Sequence, residues 1–78
     1  MEEIIIMNGK VKWFNSTKGY GFIEGDDGKE YFVHWRSIVT TSDNNLKTLE
    51  DDEDVQFDTI DTDKGVQAIN VVRLNVQN

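Results

Sequence analysis

The chain has 78 residues, a formal net charge of −7, and neither cysteine nor proline. That length makes one domain, which buries only about 60 % of its unfolded surface, and the lack of cysteine excludes a disulfide framework and a thiolate zinc site. No apolar run approaches the roughly 20 residues of a membrane helix, no positive start with a long apolar stretch marks a secretory signal, and the acidic sum runs against the basic face usual in nucleic-acid binders.

The charge is unevenly placed. Residues 8–36 carry +1, whereas residues 37–65 carry −7. A near-neutral half is thus joined to a strongly acidic one, which repels any polyanion approaching from its own side.

Residues 1–8 read as an N-terminal extension. Within it, Ile4-Ile5-Ile6 lengthens the first strand or forms a tail, in preference to a dimer contact. Strand one spans Gly9 to Asn15. Alternation sends Lys10 and Lys12 outward and Val11 inward, and it places Trp13 on the side of Val11. Ser16-Thr17-Lys18-Gly19 is a short turn.

Lys18-Gly19-Tyr20-Gly21-Phe22-Ile23 and Tyr31-Phe32-Val33-His34-Trp35 are strands two and three, with hairpin-turn chemistry in Gly25-Asp26-Asp27-Gly28 between them. Alternation collects Tyr20, Phe22, Phe32 and His34 on one face and Ile23, Tyr31 and Val33 on the other. Aromatics dominate most cores, so a second hydrophobic layer is one reading of the four rings. However, Val11, Ile23, Val33, Val55, Phe57, Ile69 and Val71 already make an aliphatic set large enough for a small barrel. A domain of this size cannot bury both faces of one hairpin. Rings beside Lys12, Lys18 and His34 match a platform for single-stranded nucleic acid, with stacking for bases and cations for phosphates. His34 is the only histidine and has no partner ligands at metal spacing. Trp35 has core parity but stands where strand three ends.

Residues 36–49 form a connection with a helical turn near Ser37-Ile38-Val39 and a polar loop over 40–45. Glu50-Asp51-Asp52-Glu53-Asp54 reads as a solvated turn rather than a cation site, because spaced ligands and a glycine turn are absent. Strand four is Val55–Ile60, with Val55 and Phe57 inward. A turn follows over 61–65. Strand five runs from Val66 to about Leu74, with Ile69 and Val71 toward the core. Short strands, glycine and Asx turns, and no helix-length periodicity give an all-β fold.

In this order and spacing, Lys10-Val11-Lys12-Trp13-Phe14-Asn15, Lys18-Gly19-Tyr20-Gly21-Phe22-Ile23 and Phe32-Val33-His34-Trp35 resemble the cold-shock domain family. The second and third blocks match its two ribonucleoprotein-type motifs. Leu46-Lys47-Thr48-Leu49-Glu50 and Gly65-Val66-Gln67-Ala68-Ile69-Asn70-Val71 resemble its later segments, so the likeness covers nearly the whole chain. It implies a five-stranded antiparallel OB-fold Greek-key barrel over residues 9–74, followed by a tail over 75–78, with strands two and three facing the ligand. Trp13 then belongs on the ligand side. That agrees with an inward Val11 only if a bulge or strong bend lies near Lys12.

The implied function is binding of single-stranded RNA or DNA with low sequence specificity by a cytoplasmic, monomeric RNA chaperone that keeps strands unpaired. By the same resemblance, Trp13, Tyr20, Phe22, Phe32, His34 and Trp35 stack on or flank bases. Lys12, Lys18, Lys47 and Lys64 meet phosphates, and Glu30 and Gln67 hydrogen-bond base edges. The chain departs from the family at several positions. Tyr20 and Trp35 stand where phenylalanine is usual, Val66 where proline is frequent, and Leu46 where an exposed loop phenylalanine is common. The loop itself is longer.

No catalytic group, cofactor or metal is expected. There is no nucleophile beside a base, no phosphate-cradling loop with its lysine, and no dinucleotide fingerprint after Gly19 and Gly21. The alternative reading is an acidic OB module that turns its ring patch to a protein partner. Lys12 and Lys18 beside the rings favour nucleic acid. A ribosome-bound initiation-type OB domain would need basic surface that this chain lacks.

Overall fold

A computed structural model describes residues 6–40 and 47–74. Five strands, β1 (Ile6–Asn15), β2 (Tyr20–Gly25), β3 (Glu30–His34), β4 (Asp54–Thr62) and β5 (Gly65–Arg73), close into a barrel in the order β1-β2-β3-β5-β4. The all-β OB-type barrel expected from the sequence is therefore present. One seam, β3 to β5, is parallel: Phe32 faces Gln67 there, and an Ile38–Val71 bridge continues the closure. Among the described residues no helix is long and apolar enough to cross a membrane.

Two irregularities decide which side chains face inward. In β1, Val11 pairs with Ile23 and Trp13 with Phe22, so Lys12 is an extra residue in the ladder. This is the bulge required near Lys12. It resets the alternation, so Val11 is fully buried while Trp13 turns out to 38 % exposure. In β5 the shift falls between its pairs with Gln56 and Asp58, beside Asn70, whose φ is +52°. The core residues of β5 are consequently Ala68 and Val71, three apart, and Ile69 is only half-buried. The expectation that Ile69 faces the core fails because strict alternation does not survive that bulge.

The remaining core is Val11, Ile23, Tyr31, Val33, Ile38, Leu49, Val55 and Phe57. Ile38 and Leu49 come from the connection and plug the barrel where no strand covers it. This displaces the helical turn, which is a single 3-10 turn over Trp35–Ser37 rather than Ser37–Val39. Ile38 must enter the core, and the Val39 N–H donates to the Val71 carbonyl at 2.8 Å, so both are extended. β1 also starts at Ile6, before Gly9, with Ile6 opposite Asp58. Ile4 and Ile5 lie outside the described residues.

The acidic run is a turn only in part. Asp51 and Asp52 are exposed, with Asp52 at φ +65°. Asp54 begins β4 and pairs with Lys10 at 3.1 Å. Glu53 is not solvated: its side chain is 8 % exposed and accepts from Arg73 Nε at 2.5 Å, with Glu50 a further 3.8 Å contact. This pair fastens the end of β5 to the start of β4, and losing one member would leave a charge desolvated without compensation.

Within the hairpin turn the Tyr31 hydroxyl donates to Asp27 at 2.5 Å, and the Lys29 N–H donates to the other oxygen of the same carboxylate at 3.0 Å. These two donors, Tyr31 first, hold Asp27 below the usual carboxylate range. The same hydrogen bond, then burial, pushes the Tyr31 phenol up to about 12.

Truncating the largest fully buried side chain, Phe57→Ala, is expected to cost about 3–5 kcal/mol by urea titration, whereas Ile60→Ala on the exposed side of β4 stays within about 0.5 kcal/mol. The Asp27–Tyr31 bond predicts two pH limbs. Asp27, with a depressed folded pKa, contributes stability above its unfolded value of about 3.9, and this is lost as pH falls through the lower folded value. Tyr31, with a raised folded pKa, contributes stability below its unfolded value of about 10, and this is lost as pH rises toward the folded value. Urea midpoints of Tyr31→Phe should depend less on pH than those of the unaltered protein in both windows.

Candidate nucleic-acid interface

β2 and β3 pair Tyr20 with His34 and Phe22 with Phe32, and the β1 bulge sets Trp13 opposite Phe22. Side chains directly opposite in an antiparallel ladder stand about 4.5–5.5 Å apart at Cβ, so these rings are set side by side on one face. Four of them pack into one cluster: Trp13 lies 5.9 Å from Tyr20 and 5.5 Å from Phe22, and Phe32 lies 5.8 Å from both Tyr20 and Phe22. His34 and Trp35 extend the layer, 5.4 Å apart. Each of these rings is half-buried or exposed. The inward face of the same hairpin holds Ile23, Tyr31 and Val33, all buried.

Glycine makes the layer possible at two places. A Cβ on Gly21 would stand 2.2 Å from the Trp13 carbonyl oxygen, so a side chain there would push β1 away from β2. Gly19 has φ +81°, and a Cβ on it would stand 2.4 Å from Cδ1 of Trp35. Trp35 is seated on that glycine, and its backbone N–H donates to the Gly19 carbonyl at 2.9 Å. Its core parity is not realised, because β3 ends at His34 and the 3-10 turn swings the ring back over the β1–β2 turn.

The polar residues fall into three groups. Lys12 is bonded to Glu30 across the ring layer; that hydrogen bond, then the Glu30 charge, raises the Lys12 ammonium above its usual pKa, and Glu24 adds to the effect. A groove of about 470 Å³ lies between Phe22, Glu30 and Phe32 and the residues Lys64, Gly65, Val66 and Gln67. At the far end, the Lys47 ammonium is 5.7 Å from the Trp35 ring centre and donates to the Ile38 carbonyl at 3.4 Å. Lys18 is exposed on the turn leading to Gly19, with its N–H bonded to Asn15 Oδ1 at 2.9 Å. Leu46 lies outside the described residues. Of the candidates read from the sequence, Lys12, Trp13, Tyr20, Phe22, Glu30, Phe32, His34 and Trp35 share one surface, Lys64 and Gln67 join it through the groove, and Lys47 joins it through Trp35.

One neighbour was missing from that set. The Arg36 guanidinium stands 5.4 Å from the Trp35 ring centre, on the 3-10 turn. The signal for it was a cation directly after the His34-Trp35 pair, which strand alternation leaves unassigned once the strand has ended.

A closed five-stranded OB barrel with an open aromatic layer on β2 and β3 belongs to the class of small nucleic-acid-binding β-barrels. Within that class the chain is a member of the cold-shock family: the family model described as the 'Cold-shock' DNA-binding domain matches residues 7–74. It is 54% identical over 65 residues to Cold shock protein 1 of Lactiplantibacillus plantarum, covering 83% of this chain and 94% of that protein. It is 48% identical over 68 residues to Cold shock-like protein CspC of Bacillus cereus (87% and 100% covered) and 46% identical over 69 residues to Cold shock protein CspB of Bacillus caldolyticus (88% and 100% covered). Membership makes it a nucleic-acid-binding protein of a family that are binders rather than enzymes.

The seat of Trp35 supplies a test. Gly19→Ala places a methyl against the ring and forces an alanine into the left-handed region, at a backbone cost of about 1–2 kcal/mol. Chemical denaturation should register that loss, and the emission of Trp35 in the folded protein should shift as the ring is displaced.

Proposed function

We propose that the ring surface holds single-stranded RNA or DNA with little sequence preference, by stacking successive bases on Trp13, Tyr20, Phe22, Phe32, His34 and Trp35. The observation that carries this reading is the ring surface, a cluster of four rings with centres 5.5 to 5.9 Å apart and the His34–Trp35 pair at 5.4 Å, left open on the side away from the core. Such a layer offers every base a π-face and is worth about 1–3 kcal/mol per stacked base regardless of sequence. A duplex hides those faces, so the surface favours unpaired strands and opposes their pairing without any nucleotide-driven step. That is the action of an RNA chaperone.

Cations play a smaller part. Lys18 and Lys64 are exposed beside the layer and are available to phosphates, while Lys12 is already bonded to Glu30. Glu30 and Gln67, on the two sides of the groove, offer a carboxylate and an amide to base edges. The acidic half repels the strand from every other side, which confines it to the rings. The protein acts as a cytoplasmic monomer in this reading.

Titration with a short unstructured oligopyrimidine, followed by the fluorescence of Trp13 and Trp35, tests it. Single strand should quench strongly and matched duplex should not. Phe22→Ala should weaken binding by about 1–3 kcal/mol with its salt dependence unchanged. Equal quenching by duplex, or none by single strand, would overturn the reading and turn the search toward a protein partner for the ring patch.

A further inference from the structure

The cations around the ring layer are not equivalent. Lys12 has a carboxylate partner in Glu30, as Lys10 and Arg73 have in Asp54 and Glu53 away from the rings. Arg36 and Lys47 have no ion pair among the described residues, yet both stand against the same ring, at 5.4 and 5.7 Å from the centre of Trp35. They come from different parts of the chain. Arg36 is placed by the 3-10 turn, where its N–H donates to His34 Nδ1 at 3.2 Å, and Lys47 is held by the Ile38 carbonyl that follows the same turn.

We propose that Arg36 and Lys47 form a phosphate anchor at the Trp35 end of the layer, gripping the phosphate of the nucleotide whose base meets that ring. The proposal rests on the single-strand reading above and assigns Arg36 a role in it. Two like charges brought to one ring, neither with a carboxylate partner among the described residues, are an arrangement that an anion completes. Cation–π attraction at an exposed site is weak, whereas an arginine fork bonds two phosphate oxygens at once. Transfer of the guanidinium from ring to phosphate is therefore favourable, and it frees ring surface for the base.

The surface is polarised as a result. At the Phe22 end Lys12 is neutralised by Glu30, and at the Trp35 end Arg36 and Lys47 are uncompensated. The strand is thus gripped by two cations at the Trp35 end, with Lys18 and Lys64 as single cations beside the rest of the layer. The phosphate is either an internal diester or the terminal phosphate of a 5′-phosphorylated strand.

The test uses the full chain and an oligothymidylate with and without a 5′-phosphate, titrated across a range of salt. Arg36→Ala and Lys47→Ala should each bind several-fold more weakly at low salt, and each should reduce the slope of log affinity against log salt by about 0.7, as loss of one single-strand phosphate contact requires. Phe22→Ala, by contrast, should lose affinity with the slope intact. Arg36→Lys should keep the slope and recover only part of the affinity, and melting temperatures should show that the variants remain folded. Tighter binding of the 5′-phosphorylated strand that vanishes in Arg36→Ala assigns the anchor to the terminal phosphate; equal binding of the two strands with the slope loss assigns it to an internal one. Wild-type slopes and affinities in both alanine variants would overturn the anchor and leave the platform standing. Absence of binding by the unaltered protein would remove both.

Discussion

In a barrel this small only one side of each strand can be dry, and the β2–β3 hairpin carries large hydrophobic side chains on both. Ile23, Tyr31 and Val33 take the inner side and are buried, which leaves Tyr20, Phe22, Phe32 and His34 no interior to enter. Hydrophobic burial is worth about 1.5–3 kcal/mol for each such side chain, so a fold that leaves a whole aromatic layer half-exposed forgoes a large stabilisation. Here the layer is retained intact, and its rings cover one another edge to face and partly stacked in place of a core. A ligand with flat apolar faces completes that burial, and this connects the packing of the hairpin to the binding of bases.

The single-residue bulge at Lys12 serves both sides of this arrangement. Without it, Val11 and Trp13 would share a face, and either the core would lose a buried valine or the surface would lose its largest ring. Inserting one residue lets a single strand supply both, and the extra twist also bends β1 so that it pairs with β2 at one end and β4 at the other. The irregularity of β5 works differently. The left-handed Asn70 brings Val71 inward opposite the β4 core residues, and its side-chain amide donates to Asp58 Oδ2 at 3.1 Å.

Electrostatics explain how an acidic protein can belong to a nucleic-acid-binding family. The carboxylates concentrate in the half that does not carry the rings, where Glu53 and Asp54 tie strands together through Arg73 and Lys10. On the ring surface the Lys12–Glu30 pair is internally neutral. Stacking is little affected by net charge, so the function survives a balance that would defeat a protein dependent on phosphate contacts alone.

Much of this was open to reading in the sequence. The period-2 pattern separates the ring face from the core face of the hairpin, the glycine and Asx turns mark the strand ends, and ordered motifs resemble one family; each is a local property, encoded by neighbouring residues. What local pattern does not contain is where alternation breaks. The inward residues of β5, the position of the 3-10 turn, the burial of Glu53 and the approach of Lys47 to Trp35 all follow from contacts between distant segments. Val39 bonds to Val71, Arg73 reaches Glu53, and Ile38 and Leu49 close an opening left by the strands. Sequence alone determined the barrel class and the shared outer face of Tyr20, Phe22, Phe32 and His34, because a strand's two faces are written in consecutive residues. Only the tertiary structure decided which cations are already paired and which stand over Trp35, because pairing depends on closing the barrel.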